Sequence, residues 1–261
     1  MLPFIIVALL VVFVTYLIFK TKKSVQTPKD QTIDYSTLLI DHIAYYQKLS
    51  EVSKIRFENL IVDFLQNVKI EGVGTDITDT DRVMIASSAV IPVFGFPDWH
   101  YKNLTNIILY PDTFDHEFQF EGKDRNILGM VGSGYMNGQM LLSRAALVKG
   151  FSKLHGHENV AIHEFVHLLD KADGITDGAL EILIRHEYTI PWFKMMHQEM
   201  HRIEIGKSDI NLYALTNEAE FLAVAGEYFF EKPEELKHKH PDLYHRLTQL
   251  FGQDPSAAVN N

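Results

Sequence analysis

Residues 163–167 read His163-Glu164-Phe165-Val166-His167, an H-E-x-x-H pattern. Histidines four apart lie one turn apart on one face of a helix, so both imidazoles can reach a single ion. Glu164 flanks that face, where a carboxylate can reach a metal-bound water without ligating the metal. Val160, Ile162, Phe165, Val166, Leu168 and Leu169 supply the apolar faces that such a helix needs. The chain has no Cys, so thiolate metal sites, cysteine nucleophiles and disulfides are all excluded.

A catalytic zinc takes three protein ligands and keeps one position for water, so a third ligand is required. Asp173 stands where the extended H-E-x-x-H-x-x-G-x-x-H pattern has its last His, but Asp170 replaces the Gly that turns the chain back. Glu187 has the spacing of a ligand on a later helix, and Pro191 is expected to break that helix. His155 and His157 lie in a Gly-flanked loop and read as solvated. Glu220 opens an otherwise apolar segment, Glu218 to Glu227, behind a Thr216 or Asn217 cap. A carboxylate facing a core is costly unless it is paired or bound to metal, which favours Glu220. A second histidine pair four apart, His197 and His201, lacks the motif Glu and reads as a solvated face.

The chain resembles the Mlc titration factor A family of glucose-regulated metallopeptidases, and more distantly the catalytic domain of anthrax lethal factor. The resemblance runs from about Tyr45 to Leu236. It rests on YYQKLSEVSKIRFENLIVDFL, DRVMIASSAV, NVAIHEFVHLLDKADG and NLYALTNEAEFLAVAGEYFFEKPEEL. It implies an α+β, mostly helical, zincin-like metallopeptidase domain with a small sheet. It further implies Zn2+ held by His163, His167 and Glu220, Glu164 as general base, and Tyr213, seven residues before Glu220, as a second catalytic group. Aminopeptidase-type cleavage of a peptide or protein substrate is implied, as is a regulatory protein partner, a glucose-responsive repressor. A Tyr hydroxyl beside zinc can donate to a developing oxyanion. Asp170, three residues past His167, is a candidate to hold an imidazole N–H.

These residues need a scaffold. Residues 35–48 and 51–68 have helical periodicity, and Asp79-Thr80-Asp81 can cap a helix over RVMIASSAVIPVF that is apolar nearly all round and so central. Residues 105–110 and 117–121 read as strands, and 127–143 as irregular strands and turns around four glycines. Helices are expected at 158–171, about 191–204 and 217–230, with Pro233 and Pro241 punctuating the C-terminal end.

The chain is 261 residues long, carries 24 Lys and Arg against 34 Asp and Glu, and has a formal charge of −10. Such an acidic chain is a poor match for phosphate backbones, so no nucleic-acid partner is expected. Residues 1–19 contain no charged side chain and as a helix would span nearly a bilayer core. No basic residue precedes the run, and it ends in Lys20, Lys22 and Lys23 without a small-residue cleavage site, so it reads as an uncleaved anchor. The expected layout is an anchor over 1–20, a polar tether over 21–33, one domain over 34–255 and a frayed tail over 256–261. The lysines place the domain on the cytoplasmic side of the inner membrane, single-pass. A reporter fused after Asn261 should therefore be active in its cytoplasmic form, and activity only in an exported form would overturn this topology.

Overall fold

The structure is a computed structural model that describes residues 34–97, 99–123, 125–132, 136–152, 158–180 and 186–257. The expected anchor and tether lie outside the described residues. Among those described, no helix is long and apolar enough to cross a membrane.

The domain is α+β and mostly helical. The helix expected over 35–48 is two, α1 (Ser36–His42) and α2 (Ala44–Gln47), divided at Ile43, which is extended (φ −112°, ψ 96°). The break lets Leu39, Ile43 and Tyr46 all reach the core. Helix α3 (Glu51–Asn67) starts at Ser50, whose side chain accepts the Ser53 N–H. Strand β1 (Lys69–Gly72) follows, which the periodicity did not reveal.

Helix α4 (Asp79–Val93) is the central one, with twelve of its fifteen residues buried. Its cap is Thr78, one residue before the acidic cluster. Thr78 accepts the Asp81 N–H at 3.1 Å and Asp81 accepts the Thr78 N–H at 2.8 Å, a reciprocal capping box. Asp81 is buried, and Arg144 pairs with it through Nε at 3.0 Å and Nη2 at 2.8 Å.

Strands β2 (Asn106–Tyr110), β3 (Gly129–Val131) and β4 (Gln139–Ser143) complete a four-stranded sheet in the order β1-β2-β4-β3. The first three run parallel, while β3 is antiparallel to β4 with Met130 opposite Leu141. The strand expected over 117–121 is absent. Asp115 Oδ1 accepts the N–H groups of Glu117 and Gln119, and Phe118 has φ of 62°, so the segment turns on itself. A side chain that satisfies nearby backbone donors competes directly with a sheet ladder.

Helix α5 (Arg144–Gly150) leads to the motif helix α6 (Val160–Asp170), which packs on α4, α8 and β3, α8 being Glu218–Glu231. Helix α7 (His186–Glu204) begins five residues earlier than expected and runs through Pro191. Helices α9 (Pro233–Lys239) and α10 (Pro241–Phe251) each start on a proline, where its missing N–H costs little. Ser256 and Ala257, expected to fray, are held by the Asp254 carboxylate, which accepts both N–H groups.

Replacing Thr78 with Ala removes one half of the α4 cap and should cost about 1 kcal/mol. For a domain of this size that is a fall of about 2–4 °C in the thermal midpoint, which Thr78→Ser should largely restore.

Candidate metal centre

Helix α6 starts at Asn159, whose side chain accepts the Ile162 N–H at 3.2 Å. Ala161, Ile162, Phe165 and Val166 are fully buried, so the helix cannot rotate without exposing them. His163 and His167 are thereby turned to one side, their Nε2 atoms 3.0 Å apart and their rings nearly perpendicular at 80°.

Helix α8 brings the third group. Asn217 caps it by accepting the Glu220 N–H at 2.9 Å, and the first turn of a helix favours a carboxylate. A Cβ on Gly226 would lie 3.1 Å from Val166 Cγ2, so the missing side chain lets α8 close on α6. Glu220 Oε2 then lies 3.0 Å from His163 Nε2 and 3.3 Å from His167 Nε2. Among the described residues these three alone form a group able to hold a metal ion.

The hydrogen bonding supports that use. His163 Nδ1 lies 2.7 Å from Glu227 Oε1, a carboxylate that can only accept, so Nδ1 carries the proton. In the neutral ring, Nε2 then presents a lone pair to the His167 nitrogen and the Glu220 carboxylate. Electron-pair donors converging in this way call for a shared proton or a metal cation between them. Without one, burial lowers the His163 pKa, but the bonds to Glu220 and Glu227 outweigh it and push it up to about 10. Burial raises the Glu220 pKa, and the two imidazoles outweigh that and bring it down to about 2.

Glu164 is buried beside this cluster and against β3. A Cβ on Gly129 would stand 2.9 Å from Glu164 Cγ and 2.7 Å from Val160 Cγ1, so only glycine lets the strand pass this close. Burial raises the Glu164 pKa, with His163 and His167 opposing it and Glu220 adding to it. Tyr213 lies on a 3-10 turn, Leu212–Leu215, whose cap Asn211 accepts the Tyr213 N–H at 2.9 Å. Its ring centre is 6.1 Å from that of His163, and 54% of the residue is exposed, so it is not a packed core tyrosine. Partial burial and the charges of Glu220 and Glu164 raise its pKa, which keeps the hydroxyl a donor. Cavities of about 780 Å³ and 340 Å³ meet at Gly129, His163, Glu164 and Tyr213.

The model of the glucose-regulated metallo-peptidase family M90 matches residues 19–252. The chain belongs to that family. Among its relatives, an uncharacterized Synechocystis protein, slr2042, is 29% identical over 85% of this chain and 84% of its own. The Mlc titration factor A of Escherichia fergusonii is 25% identical over 92% of this chain and 93% of its own. That of Klebsiella pneumoniae is 25% identical over 80% and 82%. Membership in a metallo-peptidase family implies a metal ion, and among the described residues His163, His167 and Glu220 are the group able to hold one.

The other candidates fall elsewhere. Asp170 Oδ1 accepts the N–H groups of Gly178 and Ala179 at 2.9 and 3.1 Å, not an imidazole N–H. It holds the loop after α6, because its helix-end position faces that loop. The side chains of Asp173 and Glu187, and all of His155 and His157, lie outside the described residues, while the helix carrying Glu187 is unbroken in backbone. His197 and His201 are exposed on α7 beside Glu218 and Glu204. Sequence reasoning missed Glu227, Asn159 and Gly129. The signal for Glu227 was present, since it lies seven residues after Glu220 and so on the same face of the helix.

Purified protein should hold about one metal ion per chain, read by elemental analysis. Glu220→Ala should strip most of it, and Asp170→Asn should leave it in place. Equal retention in the Glu220 variant would remove that residue from the metal site.

Proposed function

We propose that this M90 chain is a zinc-dependent peptidase that cleaves peptide bonds with Glu164 as general base and Tyr213 as oxyanion donor. The observation that carries the reading is the convergence of two imidazole nitrogens and one carboxylate oxygen beside a buried Glu164. Two nitrogens and one oxygen suit zinc, whose bonds of about 2.0–2.1 Å set tetrahedral edges of about 3.3–3.4 Å. The donor atoms lie 3.0 and 3.3 Å apart, close to those edges. Zinc bound there would polarise a peptide carbonyl and lower the pKa of a water molecule toward neutrality.

The remaining work belongs to the chain. Glu164 is positioned to take the proton of the attacking water and return it to the leaving amine. Its burial and the nearby Glu220 charge make it a better base than a solvated carboxylate. The Tyr213 hydroxyl donates to the oxygen that gains charge. The substrate backbone has a place to lie. Ser143 donates to Leu128 and Gly132 donates to Gln139, so the alternation of an antiparallel ladder turns the N–H and C=O of Gly129 and Val131 away from β4. Among the described residues that edge of β3 has no neighbouring strand, and it borders both cavities. An extended peptide adding there would pass beside Glu164. Aminopeptidase-type cleavage is the finer form of this reading, by the resemblance already given.

A second reading rests on the name Mlc titration factor A carried by several relatives. On that reading the domain also sequesters a transcriptional repressor or another protein partner. An intact Glu164 and Tyr213 favour catalysis, since sequestration needs neither. The apolar run over residues 1–19, followed by Lys20, Lys22 and Lys23, supports tethering to the inner membrane with the catalytic domain in the cytoplasm.

Kinetics with a peptide library separate the readings. Glu164→Gln and Tyr213→Phe should keep normal metal content and near-normal KM. Each should lower kcat, by about 10²–10³ for loss of one oxyanion donor and at least as much for loss of the base. A Tyr213→Phe variant with unchanged kcat would take Tyr213 out of the mechanism. Cleavage indifferent to both changes would give way to the sequestration reading.

A further inference from the structure

We propose that Glu227 is the positioning residue of the metal centre, setting the tautomer and orientation of His163 and tying them to the start of the motif helix. The proposal rests on the zinc-site reading above and concerns a residue outside the ligand set.

Glu220 and Glu227 are seven residues apart on α8, two turns along one face. They bracket the same imidazole. Glu220 Oε2 meets Nε2 at 3.0 Å, and Glu227 Oε1 meets Nδ1 at 2.7 Å. The second oxygen of Glu227 is also used, accepting the backbone N–H of Asn159 at 2.6 Å. In an ordinary capping box, a Glu or Gln at the third helical position accepts the N–H of the cap residue. In α6 that position is Ile162, which cannot accept. Glu227 makes this bond instead, from another helix.

One buried carboxylate therefore fixes two things. Its grip on Asn159 sets where α6 begins, and its grip on Nδ1 sets how the first histidine of the motif is rotated. With the proton held on Nδ1, Nε2 is left as the donor atom, turned toward His167 and Glu220. A ligand whose rotation and tautomer are fixed before the metal arrives loses little entropy on binding. Carboxylates that hold a ligating imidazole in this way are typically worth about 10–100-fold in metal affinity.

The neighbouring Glu231 supplies the control. Its Oε1 accepts from Asn159 Nδ2 at 2.8 Å, so it touches the same cap residue but not His163. A purely structural role for this corner of the fold predicts that Glu227 and Glu231 variants behave alike.

The test is zinc affinity of the metal-free full-length protein, measured by competition with a chromophoric chelator, alongside the thermal midpoint of each metal-free variant. Glu227→Ala should weaken zinc binding by about 10–100-fold. Glu227→Gln, which keeps an acceptor for Nδ1–H, should fall between it and wild type. Glu231→Gln should leave zinc affinity within about threefold of wild type even where its midpoint drops. Zinc affinity unchanged in both Glu227 variants would overturn the proposal. So would affinity losses that simply follow the thermal midpoint across all three variants. Because affinity is read without substrate, a wild type that binds zinc but cleaves nothing removes only the peptidase reading, whereas a wild type that binds no zinc overturns both.

Discussion

Three electron-pair donors aimed at one point repel one another, and the described domain is organised around holding them there. His163 Nε2, His167 Nε2 and Glu220 Oε2 lie within hydrogen-bonding distance, yet the Nδ1 proton of His163 is committed to Glu227. Only a shared proton or a metal ion makes that arrangement favourable. The scaffold resists the relaxation that would otherwise follow. Four fully buried residues on α6 fix its rotation, and Gly226 lets α8 approach until Glu220 faces the imidazoles. Each helix is further fixed at its first turn by an asparagine that satisfies a backbone donor, Asn159 for α6 and Asn217 for α8.

The same closeness shapes the side of the centre that would meet a substrate. On the proposed mechanism, Glu164 must be near enough to the donor cluster to reach a water there, and dry enough to stay a strong base. Burial against β3 meets the second need, and the absence of a side chain at Gly129 makes that burial possible. A larger residue at 129 would have to displace either the strand or the Glu164 carboxylate. Tyr213 has the opposite environment. It is half exposed on a short turn, with its ring centre 6.1 Å from that of His163.

Much of the centre was legible in the sequence because metal chemistry constrains residue type and spacing together. The histidine pair reads directly from helical geometry. Glu220 was favoured because an acid among apolar residues at a helix start is expensive without a partner. Glu227 lies on the same face and obeys the same logic, so its spacing marked it as an acid needing a partner. Its partner is a side chain already assigned to the metal, and the pattern alone does not say which side chain that is. The errors in the scaffold have equally local causes. EFQFE alternates like a strand, yet Asp115 offers its backbone a nearer set of hydrogen bonds. Pro191 reads as a helix breaker, but in the second turn of α7 it deprives only the Glu187 carbonyl of a partner. Strand β1 is four residues with a single buried side chain, Ile70, too short to carry a period. The pairing that makes it a strand comes from β2, distant in sequence.

The charge around the centre ties metal binding to folding. Glu164, Glu220, Glu227 and Glu231 are four acids gathered on and beside two packed helices. Burial and the Glu227 charge push Glu231 up to about 7, with its Asn159 bond opposing them. Crowding of this kind costs free energy in the folded state and almost none in an unfolded chain, where the same carboxylates are solvated and apart. A divalent cation reverses the sign for the two nearest groups, because it adds attraction where repulsion stood. Because only the folded chain brings these donors together, cation binding would add to the stability of the folded state. The packing of α6 on α8 is thus the part of the domain that would gain most from a bound ion, whereas the α4 capping box, whose Asp81 carboxylate is already paired with Arg144, would gain little.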